Sequence, residues 1–362
     1  MAADGYEAPS FRTGYEKLVA HRTGSTQAVV ADFEGKVLSV DEFGITVEYD
    51  GKPKVVKSYP IGKTFGKHEG AVFPHELVAN VKKGQKFPKG AVLTYNKKFF
   101  EPDIFNPEQV NWKLGVYANV VLLEGVDTLE DSSAISPWLS EKLRAQTTKV
   151  KHITVRFDQA VHSLVGVGDD LNPDDHLCLI EDGLTAGNQG FSSDSVETLR
   201  RLASQAPQAK VQGHVDRVEV FYNGDFEDMS ESVLDIVKKA DRRRKKEAKA
   251  SPIELAETGR VDSTLRIDGN PVELDTVVIR VYLTQNVAAV GGDKAVFANQ
   301  MKTTFRRVMV GRNETADGLP LHAIFGKKSI DDRIVLSAYQ IGTTTMICEL
   351  MAQKCQDILK AA

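Results

Sequence analysis

VELDTVVIRVYLTQNVAAVGGDKAVFANQMK, residues 272–302, holds the two features on which the reading of the chain turns. Its first part, VELDTVVIRVYLTQ (272–285), is almost continuously β-branched or aromatic. Such a run fits a strand buried on both faces, because a half-exposed strand alternates apolar and polar residues. Its second part opens with Gly291-Gly292-Asp293 and places Lys294 and Lys302 eight positions apart. It has too many turn residues at its start for a strand, and no apolar stripe clean enough for a helix. Fully extended, eight residues span about 26 Å, far longer than one triphosphate. The glycines and the small Ala295 and Ala298 let the segment fold back instead. Two lysines on such a loop suit phosphate, because an ammonium is a compact point charge that tracks several oxygens. On spacing alone they also read as two solvated surface lysines in a chain with 46 Lys and Arg.

The segments before this stretch read as β and then mixed. TQAVVADFEGKVLSVDEFGITVEYDGK (26–52) alternates Val, Leu and Ile with polar residues and breaks at Glu34-Gly35, Phe43-Gly44 and Asp50-Gly51, which are hairpin signals. A helix is expected to start at Ser136-Pro137, with proline well placed in the first turn. LVGVGDDLNPDDHLCLIED (164–182) reads as two strands around a solvated acidic turn. SSDSVETLRRLASQ (192–205) reads as an amphipathic helix. The run 230–252 is one helix, polar on most faces and closed by Ser251-Pro252. A C-terminal helix is expected at about 343–360, with Ile347, Leu350, Met351, Ile358 and Leu359 near one side.

The chain has 362 residues, 41% hydrophobic and 27% charged, with a formal net charge of −4. It is long enough for two or three units, and it is no polycation, so nucleic-acid contact requires a local patch or a partner. Cys178, Cys348 and Cys355 lack metal-ligand spacing and read as reduced core residues. No apolar run is long enough to span a bilayer, and the start lacks the pattern of a signal peptide. A soluble protein is therefore expected.

Two further patches carry candidate chemistry. Glu130-Asp131 lies between a strand and a helix start, where adjacent carboxylates suit a divalent cation or a metal-bound nucleotide, and equally suit ordinary charge complementation of a helix N-terminus. Lys238 to Lys249 is a basic run that includes Arg242, Arg243, Arg244, Lys245 and Lys246. It reads as a solvated helix face or as a surface for phosphate or an acidic partner. There is no Walker A loop, no GxGxxG after a strand, no GxSxG, no zinc pattern and no DxDxD cluster. A nucleotide polymerase needs carboxylates that hold two metals, and this sequence has no convincing set.

Taken together, these patches resemble the C-terminal part of the β subunit of multisubunit DNA-directed RNA polymerase. The family pattern of a KVYL-type strand, GDK, seven residues and a second lysine stands here as IRVYLTQNVAAVGGDKAVFANQMK, with Gly292-Asp293-Lys294 and Lys302 in register. YANVVLLEGVDTLEDSSAISPWL resembles the family's strand, Glu-Asp pair and helix, and places Glu130 and Asp131 on the pair. RTGSTQAVVADFEGKVLSV, KKGQKFPKGAVL, GVGDDLNPDDHLCLI, DGLPLHAIF and DRIVLSAYQIGTTTMICELM keep the family order, so the resemblance runs from about residue 18 to 355.

The resemblance implies a mainly β fold with an inserted α+β region: a double-psi β-barrel with a sandwich-barrel and flap-like insertion. The implied parts are a tail at 1–17, barrel regions at 18–149 and 276–362, and the insertion at 150–275. It further implies that Lys294 and Lys302 reach the RNA 3′ end and the phosphates of the incoming NTP, with Glu130 and Asp131 beside the triphosphate. Catalytic magnesium, Mg2+, would be held by aspartates of a β′-like partner, and the other partners would be a separate β N-terminal-like subunit, a promoter-specificity factor, template DNA and transcript. The basic run at 242–246 would be a nucleic-acid or factor contact. A split β subunit resembles the polymerases of giant tailed bacteriophages, which implies a protein of the infected host cell or the virion. The sequence departs from the family where AVFANQM and Thr303 replace glycines and where Thr344 replaces an arginine, for which Arg306 or Arg307 is the candidate substitute. A non-catalytic β-like scaffold of a transcription complex remains the alternative.

Overall fold

The structure is a computed structural model that describes residues 3–9, 12–51, 53–68, 70–182, 205–250, 256–267, 269–298, 300–333 and 336–361. It is mainly β, with 39% strand and 22% helix, in several sheets, none closed into a barrel among the described residues. The helix expected at 192–205 lies outside the described residues up to position 204, and Gln205 forms an antiparallel bridge with Ile180.

The chain forms two compact units, one from Met1–Asp32, Gly90–Gln146 and Val287–Ala362, the other from Phe33–Lys89 and Thr147–Asn286. The segment expected as an insertion falls mostly in the second unit, which also takes residues 33–89. In chain order the strands used below are β1 (Gly35–Val40), β2 (Gly44–Tyr49), β3 (Val55–Pro60), β4 (Val120–Leu122), β5 (Ser132–Ile135), β6 (Gly213–Asn223), β7 (Thr276–Val287), β8 (Lys294–Phe297), β9 (Met301–Val308) and β10 (Ala323–Phe325). The helices are α1 (Pro137–Lys142), α2 (Glu231–Ala250) and α3 (Leu336–Ala361).

In the second unit, β1, β2 and β3 form an antiparallel meander. Its first turn is closed by Asp41, whose Oδ1 accepts from the N–H groups of Phe43 and Gly44 at 2.9 and 3.0 Å. β7 is the expected strand, buried through most of its length, and it pairs antiparallel with β6 from His214↔Thr284 to Asn223↔Thr276. Val277, Ile279, Val281 and Leu283 alternate into one core with Val215, Val220, Tyr222, Cys178 and, from α2, Val233 and Val237. Fully burying each such aliphatic side chain contributes about 1.5–3 kcal/mol, which makes β7 the anchor of this unit. The acidic stretch differs from expectation. Asp170–Leu171 pairs with β6, and Leu179–Glu181 pairs with Ala160–His162, so its two short strands do not face each other.

In the first unit a five-stranded sheet has the order β4-β10-β5-β9-β8. β5 runs parallel to β9 and antiparallel to β10, while β4 runs parallel to β10. Residues 120–135 and 294–325 thus share one sheet although some 160 residues separate them. A buried hydrogen bond of 2.8 Å from Thr303 Oγ1 to Ser133 Oγ ties β9 to β5. Ile135, Phe305 and Ala323 pack with Leu139 of α1, whose start is capped by Ser136 accepting from the Leu139 N–H at 3.2 Å. α3 starts earlier than expected and buries only Ala338. Its apolar side is exposed, including Ile347, Leu350, Met351, Ile358 and Leu359. Of the three cysteines, Cys178 is buried, with its thiol pushed up to about 11 by burial, whereas Cys355 is exposed on α3 and Cys348 is partly exposed.

Candidate functional site

β8 and β9 form an antiparallel hairpin in which Lys294 opposes Thr304 and Val296 opposes Lys302. The segment expected to be a loop is mostly strand. Directly opposed residues share a face, and Lys294, Val296, Lys302 and Thr304 are all exposed, while Met301, Thr303 and Phe305 are buried on the other side. The two lysines become diagonal neighbours, about 7–8 Å apart at the backbone. Two like charges at about 7 Å in water repel by only about 0.6 kcal/mol, so the fold tolerates them together.

The glycines before the hairpin fix its register. Gly292 donates to the Phe305 carbonyl at 2.7 Å, and Phe305 donates to the Asp293 carbonyl at 2.8 Å. Asp293 Oδ2 closes the turn by accepting from the Val290 N–H at 2.9 Å. A Cβ on Gly291 would lie 2.8 Å from the Arg306 carbonyl oxygen, and Gly292 has φ +98°. Both positions therefore need glycine.

One irregularity re-aims the arginines. Ser133 pairs with Phe305 but Ala134 pairs with Arg307, so β9 carries one extra residue, Arg306. A bulge of this kind bends and twists its strand, and Arg306 and Arg307 emerge consecutively on the surface. Both turn to the segment before β5. Arg307 donates to both carboxylate oxygens of Asp127, at 3.0 and 2.7 Å, and Arg306 donates to the Val126 carbonyl. Arg307, with help from Arg306, holds the Asp127 carboxyl below the usual carboxylate range despite its burial.

Glu130 and Asp131 sit in the same segment with φ of 51° and 63°. Two successive left-handed residues other than glycine cost about 1–2 kcal/mol each, and persist because their surroundings dictate them. Thr128 is buried and donates to the Leu123 carbonyl at 3.0 Å, Ser132 Oγ donates to the Asp127 carbonyl at 3.0 Å, and Arg333 grips Asp131 through two bonds of 3.0 and 2.5 Å. That grip lowers the Asp131 carboxyl below its usual range. The adjacent carboxylates do not act as a unit here: Asp131 is occupied by Arg333, and Glu130 is exposed. The side chains of Glu130, Lys294 and Lys302 have no hydrogen-bond or ion-pair partner among the described residues.

Leu129, Glu130, Ser132, Thr304, Phe305 and Arg306 line an open depression of about 580 Å³. Thr304 is the cross-strand partner of Lys294, so the lysine pair adjoins this depression. The arrangement offers two free ammonium groups, a half-exposed guanidinium and small hydroxyls, which together suit an anion with several oxygens. No group of three or more His, Cys, Asp or Glu placed to hold a metal occurs among the described residues. Of the carboxylates of residues 127, 130 and 131, only Glu130 is not held by an arginine, and these residues do not compose a magnesium site.

Sequence reading missed two members of the site, Asp127 and Arg333. Each pairs across roughly half the chain, 180 and 202 positions, and no local pattern marks either. Thr344 lies partly buried on α3.

The basic run lies in the other unit, on α2, and the structure divides it. Arg243 pairs with Glu247 at 3.0 Å, and Arg244 lies 4.7 Å over the Phe221 ring. Arg242, Lys245 and Lys246 are exposed. The run therefore does not present five equivalent cations.

No protein-family model and no curated protein matches this chain. No helix of the described residues is long and apolar enough to cross a membrane.

Proposed function

We propose that this chain is a β-like subunit of a multisubunit DNA-dependent RNA polymerase, in which Lys294 and Lys302 bind phosphate oxygens of the RNA 3′ end and the incoming NTP. The observation that carries this reading is the β8–β9 register. It turns two lysines that are distant along an extended chain into neighbours on one exposed face, unpaired, beside an open depression. Ammonium groups held there would stabilise negative charge as it develops on the transferring phosphoryl group, a role in which one preorganised donor is worth about 10²–10³ in rate. Arg306 completes the cationic rim, and Arg307 and Arg333 hold the two aspartates that shape the segment carrying Glu130. The metal that such a reaction uses is assigned to a β′-like partner.

Two features support the fold part of the proposal. Parallel and antiparallel pairings join 120–135 to 294–325 in one sheet, as expected of a double-psi barrel built from both barrel segments. The exposed apolar side of α3 suits a chain that works inside an assembly. That second feature serves the scaffold alternative equally well, so the test addresses the lysines. The complex is purified through a tag on this chain carrying Lys294→Ala and Lys302→Ala. NTP incorporation should fall by about 100-fold or more, with subunit composition unchanged. Full elongation by the double variant would leave the chain a scaffold.

A further inference from the structure

α2 places its charges by direction in a way the sequence run conceals. At 100° per residue, Lys238, Arg242, Lys245 and Lys249 fall within one narrow sector, and all four are exposed. The two acids of the last three turns are engaged by other residues of the chain. Asp241 is buried, accepting from Tyr222 Oη at 3.0 Å and from the Gly259 N–H at 2.7 Å, while Glu247 is held by Arg217 and Arg243 at 3.0 Å each. The stripe is thus a line of cations at i, i+4, i+7 and i+11 with no acid interleaved. An ordinary solvated helix face carries charges of both signs at these spacings, because like charges at i+3 and i+4 repel. Here the two signs are segregated along the face: exposed Glu231 and Asp235 occupy its first turns, the four cations occupy the rest, and the acids alongside the cations, Asp241 and Glu247, are engaged within the chain.

We infer that this stripe is a docking face for the phosphate backbone of a nucleic acid. Its cations span about 16.5 Å of helix axis, over which one strand of a duplex passes about five phosphates. Three of the four are lysines, which suit sequence-independent phosphate contact. An acidic protein partner is the lesser fit, because protein interfaces centre on apolar or aromatic anchors, and no large apolar side chain of α2 is exposed among the described residues. The inference concerns binding by this chain alone and stands independently of the phosphoryl-transfer reading.

The test uses the full chain and fluorescein-labelled oligonucleotides of about 20 nucleotides, single-stranded and duplex, titrated by anisotropy between about 50 and 200 mM salt. The slope of log K against log salt should be about −3 for single strands and about −3.6 for duplex if four phosphates are neutralised. Replacing all four residues by glutamine (K238Q, R242Q, K245Q, K249Q) should remove most of that slope and weaken binding at low salt by at least about tenfold. A control variant neutralises the equally numerous exposed lysines Lys82, Lys83, Lys86 and Lys89 and should retain the slope. The slope reports contacts made rather than the amount of folded protein, so a loss through misfolding is distinguishable. The inference is overturned if the wild-type chain does not bind at low salt, if the stripe variant keeps its slope, or if the control loses as much. Poly-glutamate competing as strongly as the oligonucleotide, phosphate for carboxylate, would also overturn it.

Discussion

Replacing Glu130 by glycine should stabilise the chain. Glu130 holds φ 51° with ψ 51°, a left-handed conformation that costs a residue with a Cβ about 1–2 kcal/mol. Glycine removes that penalty, but it adds about 0.5–1 kcal/mol of backbone entropy lost on folding. The net expected gain is about 0.5–1 kcal/mol. The side chain itself contributes little to folding, being exposed and without a partner among the described residues. Glu130→Ala is the matched comparison, because it deletes the same carboxylate and keeps the strained backbone. In a urea titration that tracks the unit containing residue 130, the glycine variant should exceed the alanine variant by that amount. In a thermal scan this corresponds to about 1–4 °C. If the two variants unfold together, the left-handed geometry is not a cost carried by this position, and the case for a dictated conformation beside the lysines fails.

Two other outcomes are expected. Gly291→Ala should lower stability by about 1–3 kcal/mol through its clash with the Arg306 carbonyl, and amide exchange at Gly292 and Phe305 should accelerate; unchanged exchange would refute the register argument. Asp103 is held at about 2 by Lys17, with the N–H groups of Phe105 and Asn106 adding to the effect. Because its folded value lies below the unfolded one of about 3.9, its stabilisation of about 2 kcal/mol is present above pH 4 and lost as pH falls toward 2. Urea midpoints of wild type and Asp103→Asn should therefore differ near pH 5 and converge near pH 2; a constant gap would contradict the assignment.

The parts of the fold legible in sequence are those set by local pattern. β7 is legible because its β-branched residues fill two buried faces, and the meander because Phe43-Gly44 and Asp50-Gly51 break the alternating pattern. α2 is legible as one helix because its apolar residues recur at helical spacing. The hairpin at 294–308 is not, because its register is imposed by backbone bonds between Gly292, Asp293 and Phe305, which no side-chain alternation announces. The arginine clamps on Asp127 and Asp131 join residues 180 and 202 positions apart, and pairs at that distance leave no periodic trace. For α3 the amphipathic pattern identifies a helix, but the same pattern does not say whether its apolar side meets this chain or another. The engagement of Glu247 and Asp241 within the chain is equally silent in sequence, since it depends on which side of α2 packs against β6.

A 26-residue helix that buries a single alanine draws almost nothing from the packing that holds β7 in place. Helices in proteins owe most of their persistence to contacts outside themselves, so α3 opens at little free-energy cost while the strands it packs on stay shut. Its order becomes a gauge of association: a partner that covers Ile347, Leu350, Met351 and Ile358 would convert a weakly anchored helix into a firm one.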